Sequence, residues 1–477
     1  MQPNILFIFP DQLRWDWIEP LTDLAVRTPN VRSLADRGTV FSNAWTPSPI
    51  CAPARACMAM GTNYDRSPVR HNNHNMPAGS DTVYRRLAEA GYAVSTVGKL
   101  DLLKGFMDWG PDGQHRVNGD CRLHDLGFTR GLDNAGKHDA LWARFKGVRE
   151  PYMDHLASRG LDQIHIEDFK RRNDANLKVP VGETMKGGLE IPSAYGNTDL
   201  SPLPEDAYCD NWIGRNGVDE LNALLAEGRP WFLTVNFAGP HEPLDVTASM
   251  RESVKDRQFP MPGRHDGLHT DLHQTVRQNY AAMVELIDGW VGRYVEILER
   301  AGALENTIIV FASDHGEMLG DHNLWAKSVP FEASVRVPLV MAGPGFEPSA
   351  APVAAPVSLL DVMTTFLNYG ACSTEGMDGY SLRPTLERGE APERGLVFSG
   401  LGNWRAVGDG RFKLVAGFDG SLHTQQIQFA ILDPAMLDAA KLYDLDNDPL
   451  EETDISEAEP AVRQRLLTAL AADLEAV

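Results

Sequence analysis

No apolar run in this chain approaches the roughly 18 residues that cross a bilayer, so a membrane span is not expected. Cysteine is scarce: five among 477 residues, odd in number and irregularly spaced. That excludes a disulfide framework and fits a reduced compartment. Positive charge is short too, with 44 Lys and Arg against 66 Asp and Glu and a formal net charge of −22. A nucleic-acid partner needs a basic footprint and is disfavoured. A local basic site for a small anion is not. No internal repeat or low-complexity tract is present. The start, Met1-Gln2-Pro3-Asn4, has no basic segment leading into a long apolar stretch, so a cytoplasmic location is the expectation.

What is present is ordinary globular composition, 43% hydrophobic and 23% charged, in a chain long enough for two or three domains. Asn4 to Phe9 is a short apolar run of buried-strand type, ending at Pro10-Asp11-Gln12. Pro29 to Gly38 reads as a short helix, and Val40-Phe41 starts a strand. Asp81 to Ala90 is a helix stopped by Gly91. Tyr92 to Val97 is a strand leading to Gly98-Lys99. Trp231 to Phe237 is a strand leading to Gly239-Pro240-His241-Glu242-Pro243. Tyr280 to Arg300 is a long amphipathic helix. Thr307 to Ala312 is a strand that delivers Ser313-Asp314-His315-Gly316. Strands alternating with helices predict an α/β domain with a large, mostly parallel central sheet flanked by helices. Ligand crevices of such sheets lie beyond the carboxyl ends of the strands, where these polar clusters fall.

Residues 105–210 are rich in Gly, Asp, Arg and His and carry no long periodic segment. They read as an insertion over the site, with Trp142, Phe145, Tyr152 and Tyr195 favouring some packing. From 381 to 477 the strand-like pieces Gly395–Phe398, Trp404–Val407, Phe412–Val415 and Lys441–Leu445, then a terminal helix from Glu457, predict a small α+β subdomain with an antiparallel sheet. Residues 1–380 would form the catalytic domain.

Cys51-Ala52-Pro53-Ala54-Arg55 is the most telling stretch. Pro is tolerated at a helix start, because its missing N–H would be unpaired there. Cys51 then sits at a helix N-terminus, which attracts anions and lowers a thiol pKa. Arg55, four residues on, shares its face. Asp11, at one strand end, and the Asp314-His315 pair, at another and followed by Glu317, Asp321 and His322, can form a divalent-cation site.

The Cys51–Arg55 run resembles the Cys-x-Pro-x-Arg signature of the sulfatase family, within the alkaline phosphatase superfamily, although Ala59-Met60-Gly61 stands where Leu-Thr-Gly is usual. The resemblance extends in order over nearly the whole chain, to Leu442–Leu445 and Asp448–Glu451 in the tail. It implies an alkaline-phosphatase-like fold and oxidation of Cys51 to formylglycine by a maturation enzyme. It also implies one divalent cation held by Asp11, Gln12, Asp314, His315 and the modified Cys51. Gln12 replaces the commoner second Asp, as in choline-sulfatase-like and phosphonate-monoester-hydrolase-like branches. Ca²⁺ is the family expectation, and the softer shell makes Mn²⁺ its competitor.

By the same resemblance Lys99 and Lys327 contact the sulfate and His241, in a Pro-His-x-Pro run, is an acid near the leaving oxygen. Asp101 stands where the Gly-Lys-x-His pattern has His, and is expected to orient Lys99 or to bind a cationic part of the substrate. Asn72, in Arg70-His71-Asn72-Asn73-His74, is a candidate substrate contact. Cys57, Cys121, Cys209 and Cys372 belong to no motif. The expected reaction is hydrolysis of a small-molecule sulfate ester: the hydrated aldehyde attacks sulfur, expels the alcohol, and releases sulfate as the hemiacetal collapses. A phosphonate monoester or phosphodiester hydrolase is the alternative, and a non-catalytic anion-binding homologue the next. Association with further copies of the chain is left open.

Overall fold

Eight strands form the central sheet of the computed structural model. They are β1 (Asn4–Ile8), β2 (Gly38–Trp45), β3 (Ala93–Gly98), β4 (Arg130–Asp133), β5 (Trp231–Asn236), β6 (Thr307–Ala312), β7 (Arg336–Ala342) and β8 (Val357–Ser358). Their spatial order is β8-β2-β7-β6-β1-β5-β3-β4. All run in one direction except β7, which is antiparallel to both β6 and β2. The structure describes the chain apart from residues 1, 106–107, 119, 174–178, 181–189, 265–266, 268, 423 and 477. Among the described residues no helix is long and apolar enough to cross a membrane.

The strands at the middle of the sheet are apolar along their length because both faces are covered. Alternate residues of β1 go to opposite cores, as the period of two requires. Leu6 and Ile8 join a core with Val276, Val284, Val291 and Leu298 of the helix Thr270–Arg300. Ile5 and Phe7 join a second core with Ala52, Ala56 and Ala59 of the helix Cys51–Met60, and Val362 and Phe366 of the helix Leu359–Tyr369. The parallel strands deliver their carboxyl ends, Pro10-Asp11-Gln12, Lys99, Ala238-Gly239 and Ser313-Asp314-His315, to one edge of the sheet.

The helix expected from Tyr280 begins at Thr270. Its first turns bury polar groups, which hid the apolar periodicity. Asn279 Nδ2 donates to Leu244 O at 2.8 Å and Gln278 Nε2 to Lys255 O at 3.0 Å.

Within 105–210 lie strand β4, a member of the central sheet, and the helices His138–Phe145, Pro151–Ser158 and Asp162–Arg172. Tyr152 and Tyr195 are buried, whereas Trp142 and Phe145 stay exposed.

Four antiparallel strands close the chain: β9 (Val397–Leu401), β10 (Trp404–Gly408), β11 (Phe412–Ala416) and β12 (Lys441–Asp444). The terminal helix, Pro460–Glu475, covers one face through Leu466 and Leu470. The other face, with Trp404, Ala406 and Val415, packs on Trp45 and Leu360 of the larger unit. A buried charged cluster joins the two. Lys413 Nζ donates to Glu332 Oε1 at 3.0 Å and lies 2.8 Å from Glu451 Oε1.

Candidate active site

Cys51 is the first residue of its helix, and Ile50 is the N-cap. Pro53 is therefore the third helical residue rather than the first, still within the turn whose N–H groups lack intrahelical acceptors. The first backbone bond of the helix is Ala54 N to Ile50 O, 2.9 Å. Of the remaining donors, Ala52 N is taken by Asn72 Oδ1 at 3.0 Å.

Asp11, Cys51, Asp314 and His315 are all buried, and each offers an atom within 4.8 Å of the others. Cys51 Sγ is 3.3 Å from His315 Nε2 and 3.8 Å from Asp11 Oδ1. His315 Nδ1 donates to Gly316 O at 3.1 Å, since a carbonyl can only accept. Nε2 then carries the lone pair and faces the cluster. Two carboxylates, an oriented imidazole and a thiol or its oxidised form are a donor set that fits a divalent cation.

Arg55, one helical turn after Cys51, ties these groups together. Its Nε donates to Asp314 Oδ2 at 2.9 Å, Nη2 to Asp11 Oδ2 at 3.2 Å, and Nη1 to Lys99 O at 2.7 Å and Asn236 Oδ1 at 3.2 Å. Gly98 lets β3 end close to β5. Its φ is 95°, and a Cβ there would lie 2.1 Å from Asn236 O. Lys99 N donates to that same oxygen at 2.9 Å. The Lys99 ammonium binds Asp11 and sits 3.0 Å from Asp101 Oδ2.

Asp101, at φ 58°, also takes Lys104 Nζ at 2.9 Å, and Lys104 reaches Asp139 at 2.8 Å. Between its two lysines the Asp101 carboxylate is shut off from solvent. The carboxylate thus bridges Lys99 and Lys104.

Lys327 Nζ lies 2.6 Å from His241 Nε2 and donates to Gln12 Oε1. His241 Nδ1 donates to Glu242 O at 2.8 Å, so Nε2 is the acceptor from Lys327. Gln12 Nε2 donates to Glu242 Oε2 at 2.8 Å, Tyr195 OH at 3.1 Å and Glu317. Its backbone N donates to Asp314 Oδ1 at 3.0 Å.

Burial and Asp11 push the Cys51 thiol up, but Lys99, Lys327 and Lys104 outweigh them and hold it well below its ordinary value. Burial likewise opposes ionisation of Asp11, and Lys99, His241, Arg55 and His315 reverse it, holding the carboxyl far below the usual range. Asp314 is raised by burial despite Arg55. Above these groups opens a cavity of about 340 Å³ lined by Asn72, Lys99, Lys104, Lys137, His241 and Lys327, with Asp139 and Glu242 as its acids.

The Sulfatase family model matches residues 3–370. The chain belongs to the sulfatase family. Among curated proteins, this sulfatase is 29% identical over 494 residues to a choline-sulfatase of Rhizobium meliloti (strain 1021), covering 96% of this chain and 83% of the relative. It is 26% identical over 430 residues to an arylsulfatase of Clostridium perfringens (strain 13 / Type A), covering 83% and 81%. Among solved structures, a phosphonate monoester hydrolase of Agrobacterium radiobacter superposes with a TM-score of 0.73 at 24% identity, covering 99% of this chain and 95% of that one. The alkaline-phosphatase-like architecture expected from the sequence is the observed one.

The site candidates that came from the family resemblance lie around the ligand cluster or line the cavity above it. Of the polar residues after β6, Glu317 reaches the site, by accepting from Tyr195 OH at 2.6 Å. Asp321 does not. It pairs with Arg14 and Arg277, and the His322 ring stacks on Phe331. Sequence reasoning missed Tyr195, Glu242, Lys104 and Lys137 as site residues. Glu242 carried a signal, being next to His241 between two prolines. Tyr195 and Lys137 come from the stretch without periodicity and had none.

Proposed function

We propose that this protein hydrolyses sulfate monoesters, with Cys51 converted to formylglycine by a maturation enzyme and a divalent cation at Asp11, Asp314, His315 and the modified Cys51. The observation that supports this most is one buried cluster of four ligand atoms within 4.8 Å, set among the cations Arg55, Lys99 and Lys327. A divalent cation held by these residues would supply Lewis-acid activation of the nucleophile and charge neutralisation at the sulfate. Ca²⁺ is the proposed ion, with Mn²⁺ its competitor because an imidazole shares the shell. The aldehyde supplies, once hydrated, a hydroxyl nucleophile at the position of Cys51 Sγ.

The chain's own residues do the rest. Arg55 keeps Asp11 and Asp314 fixed as ligands. Lys99, oriented by Asp101, and Lys327 bind sulfate oxygens and neutralise charge that grows as the ester bond breaks. Asn72 holds the helix start that carries Cys51. Gln12, whose amide faces Tyr195 and Glu242, acts through its backbone N on Asp314 and its Oε1 on Lys327. When Lys327 turns its ammonium to the substrate, His241 Nε2 is left facing the leaving oxygen and, protonated, is the acid.

The balance of cations over carboxylates is modest, which suits a singly charged reacting group better than a phosphate-monoester dianion. The test is turnover of matched aryl sulfate, phosphonate monoester, phosphodiester and phosphate monoester by cation-replete protein whose Cys51 modification is verified by mass spectrometry. Sulfate should lead and phosphate monoester should trail. Faster phosphonate turnover would move the reading to the alternative hydrolase. An unmodified thiol in fully active protein would remove formylglycine from the reading.

A further inference from the structure

A second cavity, of about 700 Å³, lies beside the first. Gln428 and Phe429 line both. The two differ in character. The smaller is lined by four lysines. The larger is walled by Tyr64, Phe429, Ile431, Leu432, Leu437 and Leu474. Two of its arginines share one carboxylate, which leaves a single net positive charge that Glu475 offsets. Asp65 Oδ1 takes Arg70 Nη1 at 2.9 Å and Arg405 Nη2 at 2.5 Å, and the two guanidinium groups lie over the Tyr64 ring at 5.1 and 4.8 Å. Glu475 is the fourth charged group.

At this cavity Phe429 is 55% and Ile431 87% exposed. Neighbouring apolar side chains left exposed along one cavity wall mark a binding surface. Gln428 also ties this wall to the chemistry. Its Oε1 accepts from Asn72 N at 3.0 Å, and Asn72 in turn holds Ala52 N at the start of the Cys51 helix.

We propose that the larger cavity receives the apolar part of the alcohol group of the substrate, so that the sulfate esters taken are amphiphiles with an extended alkyl or aryl-alkyl portion. This rests on the sulfate-ester reading above. The cationic cavity holds the anionic head, and the chain leaves it past Phe429 and lies against Ile431 and Leu474. Continuity with the reacting site favours this occupant over a second copy of the chain.

The experiment is calorimetric binding of linear alkylsulfonates, from ethane- to octanesulfonate, to the wild-type protein. Their C–S bond is not an ester, so binding is read without turnover. Affinity should rise roughly fourfold for each methylene that becomes buried. Ile431→Asp should lower the octane-to-ethane affinity ratio at least tenfold. Leu200→Asp, at an exposed apolar residue (42%) outside both cavities, should keep the ratio. A flat chain-length series, or an equal ratio in both variants, overturns the proposal. So does a ratio that disappears on dilution from dimer to monomer, which would assign the cavity to a second copy. A steep series in a protein that turns over no sulfate ester would leave the cavity standing and sink the reaction proposed above. Alkylphosphonates of the same lengths then identify the head group.

Discussion

Arg55 Nε donates to Asp314 Oδ2 at 2.9 Å with both side chains buried. Asp314 is thus shared between a fixed cation of the chain and the ligand cluster. Asp314→Asn removes a charged ligand from the shell. We expect the variant to lose both bound cation, measured by elemental analysis, and turnover. Asp321→Asn, whose carboxylate serves Arg14 and Arg277 instead, should retain its cation. Equal metal content in wild type and Asp314→Asn would refute the ligand assignment.

His241 holds its Nδ1 proton on a backbone carbonyl and turns Nε2 toward Lys327. As the acid, it matters most when the departing oxygen is basic. His241→Ala should slow esters of high leaving-group pKa by roughly 10²–10⁴-fold and activated phenol esters far less. Rates across a graded aryl series check this. A slope unchanged by the substitution would take His241 out of that role.

Glu150 accepts from Ala135 N at 3.0 Å and Met153 N at 2.8 Å, next to the wall of the smaller cavity. Burial pushes its carboxyl from 4.5 up to about 8. Between these values the folded protein keeps a proton that the unfolded chain has released, so stability falls as pH rises. Glu150→Gln should abolish that contribution. Urea midpoints of wild type minus variant, followed from pH 5 to 8, should decline. A constant difference would contradict the assignment.

Lys413 sits between Glu332 and Glu451, buried where the antiparallel sheet meets the larger unit. Lys413→Met leaves two carboxylates without their cation and should cost roughly 3–5 kcal/mol. Adding Glu332→Gln and Glu451→Gln should restore much of the loss in thermal unfolding. No recovery in the triple variant would mean that packing on Trp45, whose ring lies 4.9 Å from Lys413 Nζ, is what matters.

The sequence made the central strands legible because they are buried on both faces. Ile5 to Ile8 and Ile308 to Ala312 are unbroken apolar runs. It could not reveal that β7 runs against its neighbours, since strand direction leaves no mark in hydrophobic periodicity. Nor could it reveal β8, only two residues long. In the site, Asp11, Asp314 and His315 could be read from their position at strand ends, whereas Lys99 and His241 took their roles from the family resemblance. The polar shell behind them could not. Tyr195 meets Gln12, Glu242 and Glu317, which lie 183, 47 and 122 residues away in sequence, and only the folded chain brings such groups together.

Cys51 is 1% exposed, and Ala52, Pro53, Ala54 and Arg55 are buried with it. Their helix is wedged between the sheet and the helix Leu359–Tyr369, whose sequence emerges some 300 residues later. In the finished fold, where Asp11 and His315 close around Cys51, nothing the size of an enzyme reaches the sulfur. Any enzyme that rewrites this side chain must act while the chain is still being made or held open, so translation speed and folding rate compete with it. Slower synthesis, or a chaperone that delays closure, should raise the fraction of chains that carry the altered residue, with no change in any contact of the finished fold.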